Sequence, residues 1–543
     1  MARRGADVLV QGLRAAGVTR IFTLSGNHIM EVFDALVGSG IELVHTRHEA
    51  AAVHMADAWA RLSGQVGVAM VTGGQGHANA TAALCSALAG EVPVLLLSGH
   101  APLADIGNGA FQELPQAAMA APVSKAAWAA QTPQGLAEDV ARAFAIALGG
   151  RPGPVHLSLP TDVLEAEAEE APAPGAAAFA RVPMRLGAPS ALLVAQAVAA
   201  AARPLLVAPP ALCTPAGFVA MAALEAACGL PVVPMQSPRG LADPSLGAFP
   251  EVLAEADLIV LVGKPLDFTL KFGRAPAVAA GCRWIVLEPE GAVVARAQRL
   301  VGDRLVFAAV ADATEAVAAL AGVMRPVAAQ SGWADRVRAA VAWRPPEWAG
   351  LAPGNHPAPE GAIRSATLSH AVNAAVAARD ATFVCDGGEI GQWCMAMVRA
   401  GTRIVNGVAG AIGVGIPFAI GARAARPAPT LALMGDGSFG FHMAELDTAA
   451  RHGLPFVAVV GNDSRWNAEH QIQVRDYGAN RAHGCDLAPG TRYDLVAVAL
   501  GGHGENVRAA HELEPALQRA FDSGRPSVVN VVIDGQPAPS LRR

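Results

Sequence analysis

The sequence predicts an α/β protein made of three doubly wound parallel-sheet domains. Three observations carry that expectation. Short runs rich in Val, Ile and Leu alternate with stretches of helical periodicity along the chain, the pattern of βαβ units. Two Pro-rich breaks, 165–178 and 343–359, divide the chain into blocks. At 543 residues it is also too long for one core. The boundaries follow as 1–170, 185–335 and 360–543.

In the first block strands are expected over 20–24, 42–45, 66–71, 92–97 and 155–159. Two of them run into glycine-rich ends, Leu24-Ser25-Gly26-Asn27-His28 and Val71-Thr72-Gly73-Gly74-Gln75-Gly76-His77. The second has no Gly-Lys-Ser/Thr, so it is not a nucleotide P-loop. Between them, Glu49 stands where a strand gives way to a helix over 50–62. Taken alone it is an acidic residue in a first helical turn, stabilised by the dipole.

The middle block is expected to place strands at 204–208, 230–233, 258–262 and 284–287. Its first strand runs into Pro209-Pro210, where a dinucleotide fold needs glycine for backbone N–H groups to approach a pyrophosphate. FAD and NAD are therefore not expected. Glu288 and Glu290 follow the last of these strands and read as a solvated strand end, a ribose contact being the alternative.

The bulk properties exclude several classes. Net charge is −6, the isoelectric point is near 6.2, and no basic run is interleaved with aromatics, so nucleic acid is not an expected partner. The chain is 52% hydrophobic with a mean hydropathy of +0.35, yet has no apolar run of membrane length. Met1-Ala-Arg-Arg is followed by Asp7 and an amphipathic segment, so no signal peptide is expected. Seven cysteines without a CxxC pair read as small buried residues in a reducing cytoplasm.

The last block carries the densest chemistry, in TLALMGDGSFGFHMAELDTAARHGLPFVAVVGNDSRWN over 430–467. An apolar run ends in Gly435-Asp436-Gly437, a helix with Met443, Leu446, Ala449 and Ala450 on one side follows, and a second apolar strand ends in Gly461-Asn462-Asp463. In a right-handed βαβ unit, Asp436 and Asp463 both emerge at carboxyl ends of parallel strands, where open sheets bind ligands. Hard Mg²⁺ takes one or two carboxylates plus phosphate oxygens, and Gly437-Ser438 offers free N–H groups to a phosphate. The unit suits a magnesium diphosphate.

GDG followed by an Asn-Asp pair at this spacing resembles the cofactor fingerprint of thiamine diphosphate (ThDP) enzymes of the acetolactate synthase-like superfamily. RHEAAA from Arg47, TGGQGHAN from Thr72, Ala110-Phe111-Gln112-Glu113 and Arg151-Pro152-Gly153-Pro154-Val155 occur in the order found in that family's pyrimidine-binding domain. The resemblance implies a middle domain and a diphosphate-binding domain after it. Glu49 would protonate the aminopyrimidine, which ThDP needs for activation of C2. Asp436, Asp463 and the main-chain carbonyl of Arg465 would hold the metal. The family has Asn where this chain has Asp463, so Asn462 turning inward is the alternative, and the Arg465 guanidinium would offset the added charge. Gly74, Gly388, Gln392, Gly435, Gly437 and Ser438 would line the cofactor, and Ile412, in the run 409–417, would wedge beneath it. Because the Glu and the diphosphate site come from different subunits in the family, a homodimer or homotetramer with shared active sites is implied.

The substrate side rests on His28, Gln112 and Trp466-Asn467-Ala468-Glu469-His470. A His on the first glycine turn with a Gln in an Ala-Phe-Gln loop is similar to benzaldehyde lyase and 2-hydroxyacyl-CoA lyases, as are 111–116 and 266–273. The resemblance implies a lyase or carboligase acting on a 2-hydroxy or 2-oxo acyl compound, with or without a CoA thioester. Acetolactate synthase, 2-oxo acid decarboxylase and a non-catalytic regulatory homologue are the alternatives. A structural turn role for His28 stays open, and His77 reads as structural.

Overall fold

A computed structural model describes residues 3–326, 331–350, 361–539 and 541; the part of the second linker over 351–359 lies outside them. Three parallel sheets form its layers, with helices on their faces. The first contains β1 (Arg20–Thr23), β2 (Glu42–His45), β3 (Gly67–Val71), β4 (Val94–His100), β5 (Ala126–Ala129) and β6 (Val155–Pro160), in the order β2-β1-β3-β4-β6-β5. The middle sheet contains β7 (Pro204–Ala208), β8 (Val232–Pro234), β9 (Leu258–Val262), β10 (Arg283–Leu287) and β11 (Leu305–Ala309), ordered β11-β10-β9-β7-β8. The third contains β12 (Thr382–Cys385), β13 (Arg403–Val405), β14 (Thr430–Gly435), β15 (Val457–Asn462), β16 (His503–Val507) and β17 (Ser527–Val532), ordered β13-β12-β14-β15-β17-β16.

The two outer sheets thus share one strand order: second, first, third, fourth, sixth, fifth. In both, the loops after the first four strands gather at the carboxyl edge around the reversal in strand order, which is where open α/β sheets bind ligands. In the third sheet Gly435 pairs with Gly461, so the segments after β14 and β15 leave the sheet side by side.

The sequence expectations place most interior strands to within two residues. Five strands are not anticipated: β5, β11, β13 and β16, which sit at sheet edges, and β17, which lies between β15 and β16. An edge strand keeps one side wet and so lacks the apolar run that marks a buried strand; β16 reads His-Gly-Glu-Asn-Val and is mostly half-exposed. The helix expected after β14 is broken into Asp436–His442 and Glu445–Arg451, and Met443, expected on the inner side, is exposed. Glu445, at the break, is buried and accepts the Arg47 amide at 3.0 Å and the Thr448 hydroxyl at 2.6 Å. Glu288 is not a solvated strand end: it is fully buried and takes two bonds from Arg151, at 2.5 and 2.6 Å. Burial raises its pKa to about 7 against the pull of Arg151.

The outer domains of the chain are fused through a shared core. The helix Glu49–Ser63 lies on the helix Gly415–Ala425, and a Cβ on Gly421 would come 2.2 Å from the Met55 carbonyl oxygen. Only small residues permit backbones so close; Ala51, Ala52, Ala56, Ala419 and Ala422 on the two helices are fully buried, and Phe418 packs edge-on against His54. Arg61 closes one end, bonding Asp57 at 2.6 Å and the Val405 carbonyl at 3.0 Å.

In the middle domain β7 ends at Ala208, and Pro209 leads into a single 3₁₀ turn, Pro210–Leu212. The backbone there has no N–H at 209 or 210. No helix of the described residues is long and apolar enough to cross a membrane.

Candidate functional site

In the third domain the loops after the first four strands surround a cavity of about 310 Å³. Gly388 and Gln392 follow β12, Ile412 follows β13, Gly435 to Ser438 close β14, and Asp463 follows β15; Arg465 and Trp466 also line it. The middle domain contributes Ser237, Pro238 and Arg239, which the sequence reading did not single out. Backbone approaches the cavity closely because side chains are missing where they would intrude: a Cβ on Gly437 would come 2.5 Å from the Trp466 ring.

Asp436 is 2% exposed. Its Oδ1 accepts the Gly437 amide at 2.9 Å, and its Oδ2 is buried without a hydrogen-bond partner. Burial raises its pKa to about 6, partly offset by the amides of Gly437, Arg465 and Ser464. Asp463 is raised to about 7 by burial and then by the charge of Asp436, with Arg465 opposing. The Arg465 guanidinium itself bonds Asp486 at 2.8 Å. Two desolvated carboxylates that repel one another, one with an orphaned oxygen, form a donor set suited to a hard divalent cation.

The choice between Asn462 and Asp463 has a geometric basis. Successive strand residues point to opposite faces, so the two cannot both enter the cavity. Asn462 faces away: its amide donates to Thr491 O and Asn530 Oδ1, each at 3.1 Å, and its oxygen accepts the Ser464 amide at 3.1 Å. Ser464 takes a positive φ of 56°, a strained conformation for a non-glycine residue at the turn that presents Asp463.

Ile412 is set by a carboxylate that sequence reasoning passed over. Asp386 is fully buried and accepts the amides of Gly413 at 2.9 Å and Gly415 at 2.8 Å, which pins the loop on either side of Val414. Burial brings its pKa to about 7 against the pull of those amides. Asn406 holds the Ala411 carbonyl at 2.8 Å. The Asp before Gly387-Gly388 is the signal that marks it.

In the first domain the residues after the corresponding four strands form a second cluster. Glu49 is nearly buried and accepts the Asn79 amide at 3.0 Å; a Cβ on Gly76 would lie 3.4 Å from its Oε1. His28 reaches Thr72 Oγ1 at 3.2 Å and stacks on Phe111, with centroids 5.8 Å apart and planes at 13°. Burial lowers its pKa below 6.5, with a bond to the Phe111 backbone opposing. Gln112 adopts a φ of 56° and its main chain lies on Gly74, where a Cβ would come 2.5 Å from the Gln112 Cβ. His77 is structural: it bonds Ser98 and Thr81 at 2.9 and 3.0 Å, and burial lowers its pKa to about 4.

Glu49, His28 and Gln112 do not line the cavity that contains Asp436 and Asp463. The loop before Glu49 is instead docked on Glu445–Arg451 of the same chain. His45 N–H donates to His452 at 3.0 Å, and Arg451 reaches the His45 carbonyl at 2.8 Å.

Residues 3–119 match the thiamine pyrophosphate enzyme N-terminal TPP binding domain, and residues 386–531 match the C-terminal TPP binding domain. The chain is 32% identical to a probable acetolactate synthase of Mycobacterium bovis, with 97% of this chain and 95% of that protein covered. It is 31% identical to 2-hydroxyacyl-CoA lyase 2 of Homo sapiens over 98% of this chain and 90% of that one. The chain belongs to the thiamine diphosphate-dependent enzymes, in the acetolactate synthase-like superfamily.

Proposed function

We propose that the protein is a ThDP- and Mg²⁺-dependent lyase or carboligase that breaks or makes a carbon–carbon bond beside a carbonyl, on a 2-hydroxy or 2-oxo acyl compound, as a free acid or a CoA thioester. ThDP, when bound, supplies a nucleophilic carbon that accepts the acyl fragment. Asp436, Asp463 and the Arg465 carbonyl would hold the cation that a diphosphate needs as its counter-charge. Gly388, Gln392, Gly435, Gly437 and Ser438 admit the diphosphate end, while Gly74 and Ile412 shape the rest of the cofactor's bed. Glu49 would hold a proton toward the aminopyrimidine ring. His28 and Gln112 face the substrate, where they hold or move a proton at its oxygen.

The observation that carries the lyase reading is the seating of His28 and Gln112 on the Thr72–Gly76 turn that also reaches Glu49. Because these groups lie apart from the metal carboxylates within one chain, the complete site pairs the first domain of one copy with the third domain of another, in a homodimer or homotetramer of the cytoplasm. A second reading, acetolactate synthase, is favoured by the relative of that name. Assay of 2-hydroxyacyl-CoAs, aromatic acyloins and pyruvate with ThDP and Mg²⁺ separates them: cleavage of a 2-hydroxyacyl compound supports the first, and acetolactate from pyruvate alone replaces it with the second. FAD has no part in this reading. The purified protein is expected to be colourless, and a stoichiometric flavin released on denaturation contradicts that.

A further inference from the structure

Behind His28 and Gln112 lies Gln116, a side chain 1% exposed that belongs to no function assigned above. Its Oε1 accepts the Gly74 amide at 2.8 Å; its Nε2 donates to the Gly99 carbonyl at 3.0 Å and to Ser158 Oγ at 3.2 Å. A backbone N–H can only donate and a carbonyl can only accept, so a single orientation of the amide satisfies both. No smaller or singly polar side chain makes this bridge.

What Gln116 joins are the two backbone surfaces on which the substrate-facing pair rests. Gly74, at a φ of 58°, bears the main chain of Gln112. Gly99 bears His28: a Cβ there would come 2.5 Å from the His28 Cβ and 2.7 Å from its carbonyl oxygen. A Cβ on Gly73 would meet the Gly99 oxygen at 2.8 Å and Gln116 Oε1 at 3.3 Å, so the turn and the end of β4 press together around this one amide. Gln116 also opens the helix Gln116–Ala120 that ends the Gln112 loop, and His100 Nε2 lies 3.1 Å from the Leu114 carbonyl of the same loop. Glu49 is held separately, by Asn79.

We propose that Gln116 is a positioning residue that fixes His28 and Gln112 relative to one another and leaves Glu49 and the metal site untouched. The inference rests on the reading that His28 and Gln112 face the substrate. In Gln116→Ala the bridge is gone and the pair can drift by a fraction of an ångström. Misplacement of about 1 Å can cost about 10²-fold in rate, so turnover is expected to fall about 10- to 100-fold. At saturating cofactor, C2 hydrogen–deuterium exchange of bound ThDP should stay within about twofold, because Glu49 is held by Asn79 and not by this bridge, whereas ThDP affinity should fall by less than turnover, since Gly74 borders the cofactor. Gln116→Glu gives a finer test. As a neutral acid its carbonyl accepts from Gly74 and its hydroxyl donates to Gly99; as a carboxylate it opposes the Gly99 oxygen. Burial favours the neutral form, so the variant should keep most of its activity at low pH and lose it, relative to wild type, as pH rises.

The experiment combines turnover and C2 exchange of both variants with amide exchange by mass spectrometry over 72–76 and 108–118, and ring-nitrogen NMR of His28. Faster amide exchange and an altered His28 signal in Gln116→Ala, with turnover lost and C2 exchange kept, is the expected result. Unchanged turnover, a loss that follows ThDP affinity, or a pH-independent ratio for Gln116→Glu overturns the proposal. If Gln116→Ala does not fold, the pH profile of Gln116→Glu decides. If the wild type turns over no substrate of the panel, the functional reading fails by itself. The amide exchange and the His28 signal then decide whether Gln116 holds the pair.

Discussion

The first and third domains thread their strands in the same order, and in both the candidate residues follow strands one to four. After the first strand stand His28 in one and Gly388 with Gln392 in the other; after the second, Glu49 and Ile412; after the third, Gly74 and Gly435 to Ser438; after the fourth, Gln112 and Asp463. The chemistry placed on these matched positions differs. In the first domain the acid and base groups already have partners: Glu49 has Asn79, and His28 has Thr72 and Phe111. In the third, Asp436 keeps a buried oxygen without one, and Asp463 is raised to about 7 beside it. One topology therefore supplies a Glu and a His already held by partners and, at the equivalent edge, a carboxylate pair whose repulsion a cation would relieve.

The largest effect expected from breaking this contrast comes at Glu49. Glu49→Gln keeps the size and the Asn79 contact but removes the acid, and a positioned general acid contributes about 10²- to 10⁴-fold. Turnover and C2 exchange of bound ThDP should fall together by that order while ThDP still binds. Unchanged exchange would return Glu49 to the part of a first-turn carboxylate at a helix start. Next comes Asp436→Ala, which leaves Asp463 to face a diphosphate with a poorly held cation. Breaking a buried charge pair costs about 3–5 kcal/mol, or about 10²- to 4 × 10³-fold in Mg²⁺-dependent ThDP affinity by calorimetry. Full affinity in that variant would mean the site is misplaced.

The sequence singled out His28, Gly74 and Asp436 because each stands at a glycine turn after an apolar strand, and Glu49 because it stands where a strand passes into a helix. Gln116 has no such signal, and Asp386, though it precedes the Gly387-Gly388 turn, was passed over. Their work is to bond backbone amides of loops distant in sequence, and nothing local in Leu-Pro-Gln or Cys-Asp-Gly reveals which amides those are. The fold divides the same way. Most buried strands announce themselves as apolar runs, whereas the edge strands β5, β11, β13 and β16 and the interior β17, interrupted by Asn530, were not read; the break at Met443–Ala444 stands beside Glu445, which docks on the distant Arg47 amide. Glu288 was misread for the same reason: its partner, Arg151, lies in another domain.

Smaller effects sharpen the comparison. If His28 faces the substrate as proposed, His28→Ala should lower turnover while leaving C2 exchange nearly intact; a matching fall in exchange would assign it to the cofactor instead. Asp463→Asn removes the like charge beside Asp436 and keeps an oxygen ligand, so ThDP affinity by calorimetry should hold or rise. A large loss would show that the second charge is required. The smallest effect lies at the seam between the domains. Glu445 has its pKa raised to about 7, chiefly by burial and against its bonds to Thr448 and to the Arg47 and His48 amides. Because the folded form holds its proton more tightly than the unfolded chain, its stabilising share is complete below about pH 4.5 and is lost as pH rises through about 7. Melting temperature should therefore fall between pH 5 and pH 8 more steeply in the wild type than in Glu445→Gln; parallel slopes would remove Glu445 from that account.

The pairing of a first-domain face with a third-domain cavity from another copy can be tested by mixing two inactive variants. Glu49→Gln retains a sound metal site, and Asp436→Ala retains a sound acid. If the site is shared between copies, unfolding the two variants together and refolding them creates mixed dimers with one intact site. Random pairing should then restore about a quarter of wild-type turnover. If both halves of the site come from one chain, every pairing stays inactive, and a mixture with no more activity than its separate components would contradict the account.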